Sequence, residues 1–202
     1  MASDNAEQQV EEPSGYDADR AALFSRMTSL HVSRYSELPR LELYLDQLLT
    51  LVQDELSFMS VPGETVLTGS MVNNYVKLKL VPAPVKKRYS RTHVAYLVFV
   101  CSLKRVFSIA QVQQLIGLGR EVDVDLEQSY DEMCCALEGA MAARFSTETP
   151  APKGVHLLDK AGEPVSSEVS DLLQAALSAL ADKVYVEQLI TLGARQAEDG
   201  RL

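Results

Sequence analysis

Apolar residues recur every three or four positions along most of the chain, which is the spacing that lines one face of an α-helix. The repeats predict helices over about 17–31, 39–58, 69–79, 91–107 and 125–145. They also predict a helix from Ile109 to a stop at Gly117 or Gly119, and a long last helix capped by Ser166 or Ser167. The chain is therefore expected to be all-α.

Capping residues and prolines mark the ends of these helices. A hydroxyl that can accept a hydrogen bond from a free backbone N–H precedes three of them, at Thr68, Ser90 and Ser108. Pro82 and Pro84 hold the chain extended after the helix over 69–79, and three cations and an aromatic follow at once over 86–89. This order predicts a basic loop that projects beside the short helix.

Two stretches lack a helical repeat. Residues 1–16 are polar and acidic, and such a composition predicts a disordered tail. Residues 146–164 are rich in proline and glycine, which predicts a loop or linker. The three cysteines have no spacing that suits zinc or a disulfide framework, so we expect all three to be buried as small hydrophobic residues.

Charge is distributed unevenly along the 202 residues. The whole chain carries a formal charge of −9, yet residues 65–120 contain no Asp or Glu and nine Lys or Arg, which leaves −18 for the rest. Local sign, more than total charge, decides which partner a surface attracts. The basic segment therefore points to nucleic acid as a partner.

The short helix within this segment has two faces. Met71, Val72, Tyr75 and Val76 make an apolar stripe, while Ser70, Asn73, Asn74 and Lys77 share another side at helical spacing. Asn can make paired hydrogen bonds to adenine in the major groove, and Lys can reach phosphate or guanine. The alternative is an ordinary solvated face, which every surface helix has.

Enzymatic motifs are missing from the sequence. It has no glycine-rich phosphate loop, no Gly-x-Ser-x-Gly and no spaced His and carboxylate pair, so we expect no catalysis, no metal and no cofactor. His93 is expected on the surface or near a phosphate. The N-terminus reads as neither a signal peptide nor a membrane segment, so a cytoplasmic location is expected.

The segment TGSMVNNYVKLKLVPAPVKKRYSRTHVAYLVFVCSLKRVFSIAQVQQLI resembles the DNA-binding half of MerR-type regulators, in which a recognition helix, a Leu-Leu-Pro exit, a basic wing, Tyr-Ser and two more helices follow in order. Together with ELPRLELYLDQ it looks more closely like the bacterial family called domain of unknown function 1836, over roughly residues 37–145. Asn73 and Asn74 stand where MerR-type helices usually carry Arg and Tyr, and the wing is shorter, without a glycine-containing hairpin.

The resemblance implies a MerR-like winged helix-turn-helix core with a short basic wing, plus additional N-terminal and C-terminal helices. With the composition and the apolar repeats, it divides the chain into a disordered acidic tail over 1–16, an N-terminal helix and linker over 17–36, a helix-turn-helix domain over 37–120 and a C-terminal helical region for packing or dimerisation over 121–202. The residues expected to contact double-stranded DNA are Thr68, Ser70, Asn73, Asn74, Tyr75, Lys77, Lys79, Lys86, Lys87, Arg88, Tyr89 and Arg91.

The expected function is that of a transcriptional regulator that binds duplex DNA. The alternative is a non-catalytic protein-interaction module that has kept the fold without the DNA. In MerR-type proteins the helix after the DNA-binding half pairs with its symmetry mate, so a homodimer through the last helix is one expectation. The other is that this helix folds back onto its own core, since its apolar repeat keeps no strict seven-residue period.

Overall fold

The computed structural model describes residues 15–146, 148 and 154–198, and these ranges contain seven α-helices and no β-strand. The all-α prediction is confirmed. The helices are α1 Gly15–Thr28, α2 Leu45–Glu55, α3 Gly69–Lys77, α4 Arg91–Leu103, α5 Ile109–Glu121, α6 Leu126–Phe145 and α7 Ser167–Glu198. One 3-10 turn, Ser57–Met59, follows α2. In the part of the chain so described, no helix has the length and apolarity that crossing a membrane requires.

The core is one continuous cluster of buried side chains. Its centre is α4, whose side chains at Leu97, Val98, Val100 and Cys101 are fully buried because the helix is apolar on nearly every side. Helix α4 contacts α2, α6 and α7, and α6 packs against both α1 and α7. The basic segment is therefore supported from behind by the C-terminal helices.

The chain between α1 and α2 is fastened to α6 by polar contacts. The Val32 N–H donates to Glu138 at 2.8 Å, and the same carboxylate forms an ion pair with Arg34 at 2.5 Å. The Tyr35 N–H donates to Asp131 at 2.7 Å. These bonds satisfy backbone groups that are not in a helix, and they fix the approach of the chain to α2.

The prediction of a helix from Pro39 is wrong at its start, because α2 begins at Leu45. Leu43 exchanges both backbone hydrogen bonds with Tyr89, at 2.8 and 3.0 Å, and this pairing requires an extended chain. The helix then begins after Tyr44. Leu41, which the apolar repeat placed on the buried face, is 82% exposed. Tertiary pairing has overridden the local helical repeat.

The predicted stop of α5 at Gly117 or Gly119 is also wrong. The helix runs through both glycines and ends where Asp123 adopts φ 50°, with the Val124 N–H bonded to the Gly119 carbonyl at 3.1 Å. A Cβ on Gly119 would lie 3.4 Å from the Val124 side chain, at ordinary van der Waals contact. The other limits differ less, since α3 ends at Lys77 and α4 at Leu103 instead of near 79 and 107.

Two further expectations are corrected. Cys101 and Cys134 are buried as predicted, but Cys135 is exposed because it lies on the outer face of α6. Of the predicted tail, residues 1–14 lie outside the described part, and Gly15 and Tyr16 belong to α1.

Helix α7 folds back onto its own chain. Leu177, Leu180 and Val184 are fully buried, and the helix contacts α1, α4, α5 and α6. Its opposite side leaves Val186 and Ile190 exposed.

Candidate nucleic-acid interface

Helix α3 begins and orients as its sequence predicts. The Thr68 hydroxyl accepts the Met71 N–H at 3.3 Å, which is the N-cap bond that the first turn needs. Val72 and Tyr75 are buried against the core. The other side of the helix is exposed and polar, and it consists of Ser70, Asn73, Asn74 and Lys77.

The end of α3 is held by α5. Lys79 adopts a left-handed conformation with φ 58°, and the Leu80 N–H turns back to the Tyr75 carbonyl at 2.9 Å. Arg120 of α5 donates to the Lys79 carbonyl at 2.9 Å. Gln113, two turns earlier on the same face of α5, donates to the Leu78 carbonyl at 3.3 Å. These two donors bind carbonyl groups that the helix end would otherwise leave to water.

The basic loop is a tight two-residue turn. The Arg88 N–H donates to the Val85 carbonyl at 2.9 Å, and the two residues form an antiparallel bridge. Lys86 and Lys87 both have positive φ, 50° and 62°, as a type I′ turn requires. The preferred residues at these positions are Asn and Gly, because a side chain at positive φ costs about 1–2 kcal/mol. The turn contains no glycine, and two lysines occupy the positions with positive φ.

The turn and the first residues of α3 both contact the start of α2, through Tyr44 and Leu45. The Arg88 guanidinium lies 3.5 Å from the centre of the Tyr44 ring and donates to its hydroxyl at 2.6 Å. The next residue, Leu45, packs so close to α3 that a Cβ on Gly69 would lie 3.3 Å from it. The start of α2 therefore holds the turn on one side and α3 on the other.

Six cations gather on these elements, namely Lys77, Lys79, Lys86, Lys87, Arg88 and Arg91. In the described ranges, none of them forms an ion pair with a carboxylate. Arg91 instead lies 5.3 Å from the Tyr35 ring centre. Two other cations of the basic segment face elsewhere, because Lys104 donates to the Val66 carbonyl and Arg105 pairs with Glu64 and Glu187.

Three aromatic residues are not where the sequence placed them. Tyr75 and Tyr89, both expected to contact DNA, are only 3% and 5% exposed, and burial raises the pKa of each phenol. His93, expected on the surface, is 6% exposed and accepts the Ser90 N–H on Nδ1 at 2.9 Å. These residues stabilise α3 and the turn from below and are not available for contact.

Sequence reasoning did not identify the residues that position the site. Tyr44 fell inside the helix predicted over 39–58, and its contact with Arg88 depends on the pairing of Leu43 with Tyr89. Gln113 and Arg120 lie 35 and 41 residues from the carbonyls that they cap. The only sequence signal for Arg120 was the absence of acids around it, and that absence does not identify the Lys79 carbonyl as its hydrogen-bond partner.

Comparison with known protein families matches residues 33–133 to the model described as Domain of unknown function (DUF1836). That range is half of the chain and contains α2 to α5 with most of the positioning contacts. The chain belongs to the DUF1836 family. Comparisons with curated proteins and with solved structures found no match. Membership in DUF1836 assigns no activity, so the site must be interpreted from its own geometry.

Proposed function

We propose that this DUF1836 protein binds duplex DNA through the outer face of α3 and the Lys86–Lys87 turn, in the manner of a MerR-like winged helix-turn-helix. The observation that carries the proposal is the set of six cations, from Lys77 to Arg91, that have no carboxylate partner in the described ranges. Unpaired cations on ordered elements are what phosphate neutralisation requires.

The dimensions of α3 suit a major groove. With its side chains, an α-helix such as α3 is about 10–12 Å across, and the groove is about 12 Å wide. Asn73 and Asn74 are the candidates for paired hydrogen bonds to adenine, while Ser70 and Lys77 reach bases or phosphates from the same side. Thr68 is occupied by the N-cap bond and a 3.0 Å contact with Ser70, so its role is to position Ser70.

Backbone strain supports the same assignment. Lys79, Lys86 and Lys87 all adopt left-handed conformations, for which glycine is the usual residue. Strained conformations persist where the surrounding structure and function require them. A lysine at each such position keeps a cation beside α3 at a cost in stability, which is expected if phosphate contacts are selected.

The proposal extends to the setting in which the protein works. We propose a non-catalytic regulator located in the cytoplasm and assembled as a homodimer, so that two α3 helices read paired half-sites. The exposed Val186 and Ile190 of α7 are the apolar side chains available to a second copy. Sedimentation at micromolar concentration tests this part, and a clean monomer would contradict it.

Selection of bound fragments from a random duplex pool tests DNA binding and supplies the site. The affinity for that site is then measured against salt for wild type and for Lys86→Ala/Lys87→Ala. We expect the slope of log K against log salt to fall by about 0.9 for each lost phosphate contact, about 1.8 in all. The matched control, Arg26→Ala/Arg195→Ala, removes two exposed cations from α1 and α7 and should leave the slope unchanged.

A protein-interaction module is the second candidate, and three exposed side chains favour it. Leu41, Tyr44 and Val85 are 82%, 53% and 64% exposed beside the turn, a cluster that suits an apolar partner. The double variant Leu41→Ser/Val85→Ser separates the two functions. If DNA binding survives this change but is lost in Lys86→Ala/Lys87→Ala, the nucleic-acid role is favoured. If the wild-type protein enriches no duplex at low salt, the nucleic-acid role is excluded.

A further inference from the structure

An apolar cavity of about 120 Å³ lies among α4, α5, α6 and the first turns of α7. Its wall is almost entirely hydrocarbon and aromatic. The side chains that matter for its size and shape are Tyr96, Phe99, Leu115, Leu118, Val169 and Leu172. Leu172 is 43% exposed, so the cavity reaches the surface at the α7 side.

One lining residue carries a charge, and it is Arg120. Its side chain is exposed and makes one hydrogen bond, to the Lys79 carbonyl, which leaves further guanidinium N–H groups for a ligand. The acids closest along the chain are Glu121, Asp123 and Asp125. Asp123 pairs with Lys160 at 2.5 Å and Asp125 caps the Gln128 N–H at 2.8 Å, while Glu121 lies exposed at the end of α5.

We infer that the cavity binds a small carboxylate whose apolar body is about the size of a benzene ring, with the body in the cavity and the carboxylate on Arg120. A closed apolar cavity of about 150 Å³ accommodates benzene, so a slightly smaller cavity open at one side suits a single ring or a short alkyl chain. A guanidinium at the mouth of an apolar cavity favours a carboxylate over a neutral group, because it can donate two parallel hydrogen bonds. This site does not depend on whether the chain binds DNA.

Titration of the full chain with benzoate and with hexanoate tests the inference, and benzamide serves as the neutral probe of equal size. We expect saturable benzoate binding below about 10 mM, at least tenfold tighter than that of benzamide. Methyl NMR signals of Leu115 and Leu118 should shift on addition of benzoate, which locates the ligand in the unaltered protein. Absence of saturable binding by either carboxylate, or shifts confined to other residues, overturns the assignment.

Two variants separate the contribution of the cavity to benzoate binding from that of the Arg120 charge. Arg120→Gln keeps a donor for the Lys79 carbonyl and should weaken benzoate about tenfold while leaving benzamide unchanged. Val169→Phe fills the cavity and should weaken both probes, with circular dichroism confirming the fold. Arg26→Gln removes a distant exposed cation and should change neither. Benzoate affinity that is equal in wild type and Arg120→Gln contradicts the proposed role of the guanidinium.

Discussion

The cations of this protein fall into two regions that use charge differently. On α6, α7 and the elements packed against them, several basic side chains are paired, as in Arg34 with Glu138, Arg144 with Asp182 and Lys183 with Glu187, although Arg26 and Arg195 form no ion pair within the described ranges. On α3 and the turn after it, the cations from Lys77 to Arg91 have no such pairs in the described ranges. Paired cations hold helices together, whereas unpaired ones remain free for a partner.

The boundary between the two regions passes through α4. Arg91 begins this helix and belongs to the unpaired set, while after its last residue Lys104 donates to the Val66 carbonyl and Arg105 pairs with Glu187 of α7. Thirteen helical residues separate these ends by about 20 Å. A basic segment that is continuous in sequence therefore supplies one cation cluster for binding and another for the fold.

The largest effect that distinguishes the regions is expected at Arg105. Its side chain is 9% exposed and pairs with Glu187, so Arg105→Met leaves a half-buried carboxylate with Lys183 alone. We expect a loss of about 2–3 kcal/mol of unfolding free energy, because removing one partner of a buried ion pair is costly. Urea denaturation measures it. The salt dependence of DNA binding should not change.

Lys77→Met is the matched change in the other region. Lys77 is exposed and unpaired, so its loss should alter the unfolding free energy by less than about 0.5 kcal/mol. The same variant should lower the salt slope of DNA binding by about 0.9. If Arg105→Met and Lys77→Met lowered the unfolding free energy equally, the proposed difference between paired and unpaired cations would be wrong.

The polar face of α3 gives the next effect. Asn73→Ala and Asn74→Ala should each reduce discrimination between the selected site and a single-mismatch site by about 1–3 kcal/mol, since an alanine cannot make the paired hydrogen bonds. Competition binding with the two duplexes measures the difference. A uniform loss of affinity on both duplexes would assign these residues to phosphate contact instead of base reading.

Much of the fold was predictable because local signals agree with the tertiary structure. Thr68, Ser108 and Asp125 cap the helices that follow them, and α6 matches its repeat almost to the residue. The errors occur where contacts outside the helical repeat decide. The start of α2 depends on Tyr89, and the length of α5 depends on Val124, neither of which a helical repeat can anticipate.

The candidate site was predictable in its outer face and not in its supports. Spacing alone placed Ser70, Asn73, Asn74 and Lys77 on one exposed side. Spacing also put Tyr75 on the apolar stripe, and only the resemblance made it a DNA contact. For Tyr89 no spacing decided, because an aromatic side chain fits a binding face and a core equally well. The conformations of Lys86 and Lys87 were also hidden, since lysine carries no local preference for positive φ.

The smallest effect concerns that strain, and it links the binding region to the stability of the fold. Lys87→Gly relieves the left-handed conformation at φ 62° and should raise the unfolding free energy by about 1 kcal/mol, while the salt slope of DNA binding falls by about 0.9. Lys87→Ala removes the same charge but keeps the strain, so it should lower the slope equally without stabilising the protein. The two variants differ only in backbone freedom. Equal stability for both would therefore mean that the turn stores no strain, and the left-handed conformations of the lysines would no longer be an argument for DNA binding.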